Sequence, residues 1–161
     1  MLIREYRDRD LEAVIDCFCR AVRDIGARHY TPEQIAAWAP DPPDAGAWAS
    51  RLGSGGVFVG QADTALAGFI RVEATGLIDL LYVHPRHARH GVGRELLRTG
   101  CAWALQQGAR GFESDASIAA RPFFEAMDFR VEREQSVERN GVWFRNYRMV
   151  KHTVPDVLRG A

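Results

Sequence analysis

The stretch HPRHARHGVGRELL, His84 to Leu97, decides how the chain is read. Pro85 breaks an apolar run, basic residues follow, and Gly91 and Gly93 lead into Val92, Leu96, Leu97, Cys101, Ala104 and Leu105 at helical spacing. This pattern predicts a helix that begins at Gly91 and stops at Gly108. The first N–H groups of a helix have no partner within it, and the helix dipole favours an anion there. Two glycines let an anion approach the backbone, and Arg86, Arg89, His90 and Arg94 can add charge. Two readings are open: a phosphate cradle, or a glycine-eased helix start with solvated arginines. No Gly-Lys-Ser/Thr follows, and Leu96 stands where a dinucleotide-binding fingerprint would carry its third glycine. His84, His87 and His90 recur every three residues, but arginines alternate with them and no carboxylate or thiolate lies among them, so no metal is expected.

Before this stretch, LIREYR reads as a strand, and Leu11, Val14, Ile15, Phe18, Ala21 and Val22 trace a helix face with Asp10 as its N-cap. TPEQIAAWA carries a helix-start signature, with Thr31 as cap, Pro32 in the first turn and Gln34 completing a capping box. A short helix is expected from about residue 45 to 52 after Asp44. VFVGQ and LAGFIRVEA flank a hairpin turn at ADTA. LIDLLYVH is apolar on both faces and reads as an interior strand. After the glycine-led helix come the strand GFESDAS, the short helix ARPFFEAM, and two strands around Asn140-Gly141, the strongest hairpin signal in the chain. The order β-α-α-β-β-β-α-β-α-β-β gives an α/β (α+β) fold with a mainly antiparallel sheet. Residues 1–151 form one domain, and 152–161 read as a weakly held tail.

The chain has 161 residues, which suits one core, and its formal net charge is zero. General affinity for nucleic acid or an anionic membrane surface is therefore not expected. No apolar run approaches the length of a membrane span, and the N-terminus lacks the apolar stretch of a signal peptide. Cys17, Cys19 and Cys101 show no zinc spacing and read as reduced, partly buried thiols of a cytoplasmic protein.

The segment LYVHPRHARHGVGRELL, followed by ESDASIAARPFFEAMDF, resembles the GNAT superfamily of acyl-CoA-dependent N-acetyltransferases. The resemblance implies the GNAT-like mixed sheet flanked by helices, acetyl-CoA as co-substrate, no metal, and direct attack of an amine on the thioester. It implies a small-molecule or protein amine as acceptor and allows a homodimer. The family's pyrophosphate motif corresponds to Ala88-Arg89-His90-Gly91-Val92-Gly93. Its implied cofactor contacts are Arg89, His90, Gly91, Val92, Gly93 and Arg94, with Ala88 in place of the usual Gln or Arg. In the second motif Ser117 stands for Asn, Ala120 and Phe123 match, and Asp128 replaces the glycine before Phe129. Asp tolerates the left-handed backbone better than most residues. Phe124 stands where the family commonly has the tyrosine that protonates the leaving thiolate, which a phenyl ring cannot do. The family's backbone contacts to the thioester and pantetheine map onto Leu81, Tyr82 and Val83.

Asp79 is a lone acid in an apolar strand. Burial could raise its pKa toward that of a general base, or it could be a structural acid bonded to a neighbouring arginine. His84 and Asp115 are weaker alternatives. On the acceptor side, Tyr30, Trp38 and Tyr147 are the candidate substrate contacts, against the alternative of ordinary core packing. A non-catalytic acyl-CoA-binding sensor on the same fold is the competing function, motivated by Phe124 and the missing family glutamate.

Overall fold

The computed structural model describes residues 1–153. Seven strands and five α-helices follow in the order β1 (Leu2–Glu5), α1 (Leu11–Asp24), α2 (Pro32–Trp38), α3 (Ala45–Leu52), β2 (Gly56–Ala62), β3 (Ala65–Val72), β4 (Ile78–Val83), α4 (Val92–Gln106), β5 (Gly111–Ala116), α5 (Arg121–Ala126), β6 (Arg130–Arg139) and β7 (Val142–His152). The short helix expected at 45–52 is α3, so three helices precede β2 rather than two. β7 runs through His152, which pairs with Gly111 of β5, one residue past the expected domain boundary. The remainder of the expected tail, from residue 154, lies outside the described residues.

Local signals explain most element ends. Gln34 N–H donates to Thr31 Oγ1, and Gln34 Oε1 accepts from Thr31 N–H, closing the capping box. Asp44 caps α3 by accepting from Ala47 N–H. Asn140 and Gly141 both take positive φ in the β6–β7 turn, and Asp128 sits at φ 68°. Asp10 does not cap α1. Its carboxylate instead accepts two bonds from the Arg4 guanidinium, both at 2.8 Å, and one from Arg7 N–H. The nearby guanidinium is a stronger donor than a helix-start amide and takes both oxygens.

The strands form two sheets, β1-β2-β3-β4 and β5-β7-β6, all antiparallel within each sheet. β4 is therefore an edge strand of its own sheet, not an interior one. It is apolar on both faces because each face meets a separate core. Ile78 belongs to the cluster beneath α4 and α5, with Leu81 and Val83 packed against it; Leu80 belongs to the cluster beneath α1 and α3. The sheets touch through one parallel bridge, Leu77 to Glu113, and the Ser114 hydroxyl donates to Ile78 O.

The helix α4 lies close on β2 and β3 because glycines face it. A Cβ on Gly68 would stand 2.8 Å from Tyr82 O and 3.0 Å from Leu96 Cδ1, and one on Gly56 would stand 2.5 Å from the Trp103 ring. Gly68→Ala should cost about 1–3 kcal/mol, the usual range for overpacking, read as a lower urea midpoint at unchanged slope.

Candidate active site

Three structural elements converge where the two sheets part. The first is the edge of β4. The pairing of β3 with β4 slips between Arg71 and Val72, leaving Asp79 as an extra, unpaired residue of a β-bulge. Beyond the bulge the ladder is regular, and His84 N–H donates to Ala67 O. Antiparallel ladders turn alternate residues toward the partner strand, so the backbone groups of Val83 and Leu81 face the open side. Tyr82 sends its ring to the opposite core, 4.9 Å from Phe18 and 5.7 Å from Phe69. Burial pushes the Cys17 thiol up to about 12, and it stands 4.0 Å from Tyr82 O as a neutral, weak donor.

The second element is the head of α4. Arg89 and Gly91 both take left-handed φ, 64° and 79°, on either side of His90. Among the described residues, the backbone N–H groups from Arg89 to Arg94 find no hydrogen-bond partner. The two glycines differ in use. Nothing lies within 4 Å of a Cβ built on Gly91, whereas one on Gly93 would sit 3.2 Å from Phe123 and 3.6 Å from Val83. Gly91 frees the turn, and Gly93 lets α5 and β4 close on the helix. Val92 is buried in the core.

The third element is the β5–α5 connection. Ser117 Oγ accepts from Ala120 N–H and closes the turn that leads into α5, and Tyr30 OH accepts from Ile118 N–H at 2.9 Å. Phe124 is 3 % exposed, its ring 5.1 Å from Phe129 and 5.4 Å from Phe123. It is a core residue with no polar atom to offer.

The acceptor-side candidates separate. Tyr30 and Trp38 meet at 5.3 Å, and both meet Phe144 of β7, at 5.9 and 6.3 Å. Trp38 also meets Tyr82 at 6.4 Å, so an aromatic wall runs from α2 to β4. The β6–β7 hairpin is fastened to it: Asn140 Nδ2 donates to Ala37 O, and Gln34 Nε2 to Trp143 O. Arg139 stacks above, 5.5 Å from the Trp38 ring and 5.8 Å from Phe144. Tyr147 is not part of this wall. It lies against the other core, with the Arg121 guanidinium 4.6 Å above its ring.

Asp79 does not have the environment of a base. Its carboxylate accepts from Arg51 at 2.9 and 2.7 Å and from Arg71 at 2.8 Å. Burial alone would raise its pKa, but the hydrogen bonds and charges of Arg51 and Arg71 outweigh it and leave the pKa lowered. The expectation of a rise toward neutrality is corrected: both oxygens are committed and the proton affinity falls. Arg71 also donates to Arg51 O and Ser54 O, so the cluster ties α3 to the bulge. This is the alternative of a structural acid bonded to an arginine; the sequence did not say which arginines, since Arg51, Arg71 and Asp79 lie on three separate elements. Asp115 is likewise engaged, by Gln135 at 2.7 Å and Arg148 at 3.0 Å. His84 sits at the end of β4 with Nδ1 accepting from Arg86 N–H, and burial, the largest cause, lowers its pKa. No group of three potential metal ligands occurs among the described residues. Nor is any helix among them long and apolar enough to cross a membrane.

Residues 26–151 match the family described as Acetyltransferase (GNAT) domain. The chain belongs to the GNAT acetyltransferase family. It is 37% identical over 148 residues to the Escherichia coli K12 protein described as the uncharacterized N-acetyltransferase YafP, covering 91% of this chain and 93% of that one. The fold superposes with a TM-score of 0.91 on a GCN5-related N-acetyltransferase from Rhodopseudomonas palustris, at 28% identity over 94% of this chain and 95% of that one. It also resembles the PaiA N-acetyltransferase from Thermoplasma acidophilum, solved with coenzyme A, with TM-score 0.76 and 18% identity over 94% and 98% of the two chains.

The Arg51–Asp79–Arg71 cluster sets a pH dependence. A carboxyl with a lowered folded pKa contributes stability that is full above its unfolded value and lost as pH falls through the folded one. Asp79→Asn should therefore lower stability at neutral pH by about 3 kcal/mol, the scale for breaking a mostly buried pair, and flatten the acid limb below about pH 4. Thermal melts across pH 2–7 read both effects.

Proposed function

We propose that the protein is an acetyl-CoA-dependent N-acetyltransferase that passes the acetyl group directly to a primary amine of a small molecule or a protein, in the cytoplasm. The run of unpartnered N–H groups from Arg89 to Arg94, beside the open edge of β4, carries this reading. Such a run suits a pyrophosphate, and the coenzyme A found in PaiA supports the same cofactor here. Leu81 and Val83 are the positions to hold the pantetheine arm and to donate an N–H to the thioester oxygen as charge develops on it. The amine nitrogen bonds to the acyl carbon, the C–S bond breaks, and the electron pair leaves on the CoA sulfur. A thiol near the usual range is a good enough leaving group that Phe124 in the family's tyrosine position is compatible with turnover.

With Asp79 committed to two arginines, His84 is the proton acceptor in this reading, its Nδ1 giving up the bond it accepts from Arg86 N–H to take the proton. Burial, helped by Arg20, His87 and Arg86 and opposed by Asp16, favours its neutral imidazole. It follows the last residue of β4, with its ring 6.0 Å from that of His87 and the charges of Asp16 and Arg20 on α1 acting on it. His84→Gln should lower kcat about a hundredfold or more and remove an acid limb lying below pH 6.5, while CoA affinity stays near wild type. Unchanged turnover would take His84 out of the chemistry.

The decisive experiment pairs calorimetry of acetyl-CoA binding with thiol release across a panel of amines. Gly91→Val places a branched side chain at positive φ on the open face of the turn and should weaken CoA at least tenfold in a folded protein. Gly93→Val should chiefly destabilise, because Phe123 and Val83 occupy the space. Phe124, buried and without a hydroxyl, favours the second reading of a non-catalytic acyl-CoA sensor; tight binding without CoA release for any amine would select it.

A further inference from the structure

Asn146 is a polar residue in β7 that the reading above does not use. It is 5 % exposed, and its Oδ1 has no hydrogen-bond partner. Leaving a buried amide oxygen unpaired costs free energy that an apolar residue of similar shape would avoid. Strand alternation puts Asn146 on the same face as Phe144, two residues earlier, whose ring lies against Tyr30 and Trp38. The Trp38 indole N–H in that wall is also buried and unpartnered. An unmet acceptor and an unmet donor thus lie along one aromatic surface.

The register places Asn146 at the height of the chemistry. Its neighbour Tyr147 pairs with Ala116, the last residue of β5. Counting from the Leu77–Glu113 bridge, Ala116 is three residues on along β5, and Leu81 is four residues on along β4 with Asp79 bulged out. Leu81, Ala116 and Asn146 therefore lie about level, across the mouth where the sheets part.

We propose that the side-chain oxygen of Asn146 accepts a hydrogen bond from the acceptor's reacting amine and so aims the nitrogen lone pair at the thioester carbon. This deepens the acetyltransferase reading and rests on it. A neutral primary amine has two N–H groups and one lone pair. Fixing one N–H on Asn146 leaves the lone pair free to attack and the second N–H toward solvent or His84. The residue serves specificity as well as rate, because a tertiary amine or an alkyl group in the same place would leave the oxygen unpaired.

The test uses a conjugate in which the sulfur of coenzyme A is joined through an acetyl bridge to the amine of tyramine, whose ring suits the aromatic wall. Its amide N–H stands where the reacting amine would. Calorimetry compares the conjugate with coenzyme A on wild type, Asn146→Leu and Asn146→Asp. Wild type should bind the conjugate on the order of tenfold or more tighter than coenzyme A. Asn146→Leu should lose that gain with coenzyme A affinity and melting temperature unchanged or raised, and Asn146→Asp, which keeps an oxygen there, should retain it. A full gain in the Leu variant, or no gain in wild type, would overturn the assignment. Failure of coenzyme A itself to bind wild type would instead overturn the acetyltransferase reading.

Discussion

The parting of β4 from β5 is the constraint on which the rest of the molecule depends. Two parallel strands that begin to pair at Leu77 and Glu113 would ordinarily continue as one sheet. Here the Asp79 bulge re-aims β4 directly after that bridge, and β5 goes on with β7 instead. An edge strand with unmet backbone groups is normally a liability. In this fold it is covered from both sides by helices and opens only into a cleft headed by α4. The glycines under α4 matter for the same reason, since they set how near its positive end comes to that opening.

The bulge is not held by backbone geometry alone. Arg51, Arg71 and Asp79 form a cluster in which the Arg71 and Asp79 side chains are 10 % and 17 % exposed, while the Arg51 side chain is 48 % exposed. Charges of this kind persist in an interior only when their hydrogen bonds are nearly all met, and here two guanidinium groups meet one carboxylate. The cluster also consumes the one carboxylate that the strand offered for proton transfer. Structural and chemical roles competed for Asp79, and the arginines decided the competition.

The sequence made the elements legible wherever a local rule governs. The capping box at Thr31, the Asn140-Gly141 turn and the glycine-led start of α4 are all short-range, and each formed as its residues imply. Two motifs at a fixed separation were enough to point to the family that the comparison found. What was not legible is what depends on distant partners. Asp10 looked like a cap because Arg4 could not be foreseen beside it. Asp79 read equally as a base or as a structural acid bonded to an arginine, because nothing near it in the chain identifies Arg51 and Arg71 as its partners. Tyr147 shared composition with the aromatic wall, yet strand alternation turned it to the other side. Asn146 carried no pattern at all; only burial without a partner marks it.

The latch between the β6–β7 hairpin and α2 spans 103 and 109 residues of chain, through Asn140 to Ala37 and Gln34 to Trp143. Every part of the head of α4 and of the β4 edge has been synthesised before the first residue of that hairpin leaves the ribosome. The half of the cleft built from α4 and β4 is thus complete in order of synthesis before the aromatic wall acquires Phe144 and its closing strands. Loop closure over such a length is also the slow kind of contact to form. The two halves are separable in assembly, and a lineage could refashion the hairpin and its wall while leaving the earlier-synthesised half of the chain untouched.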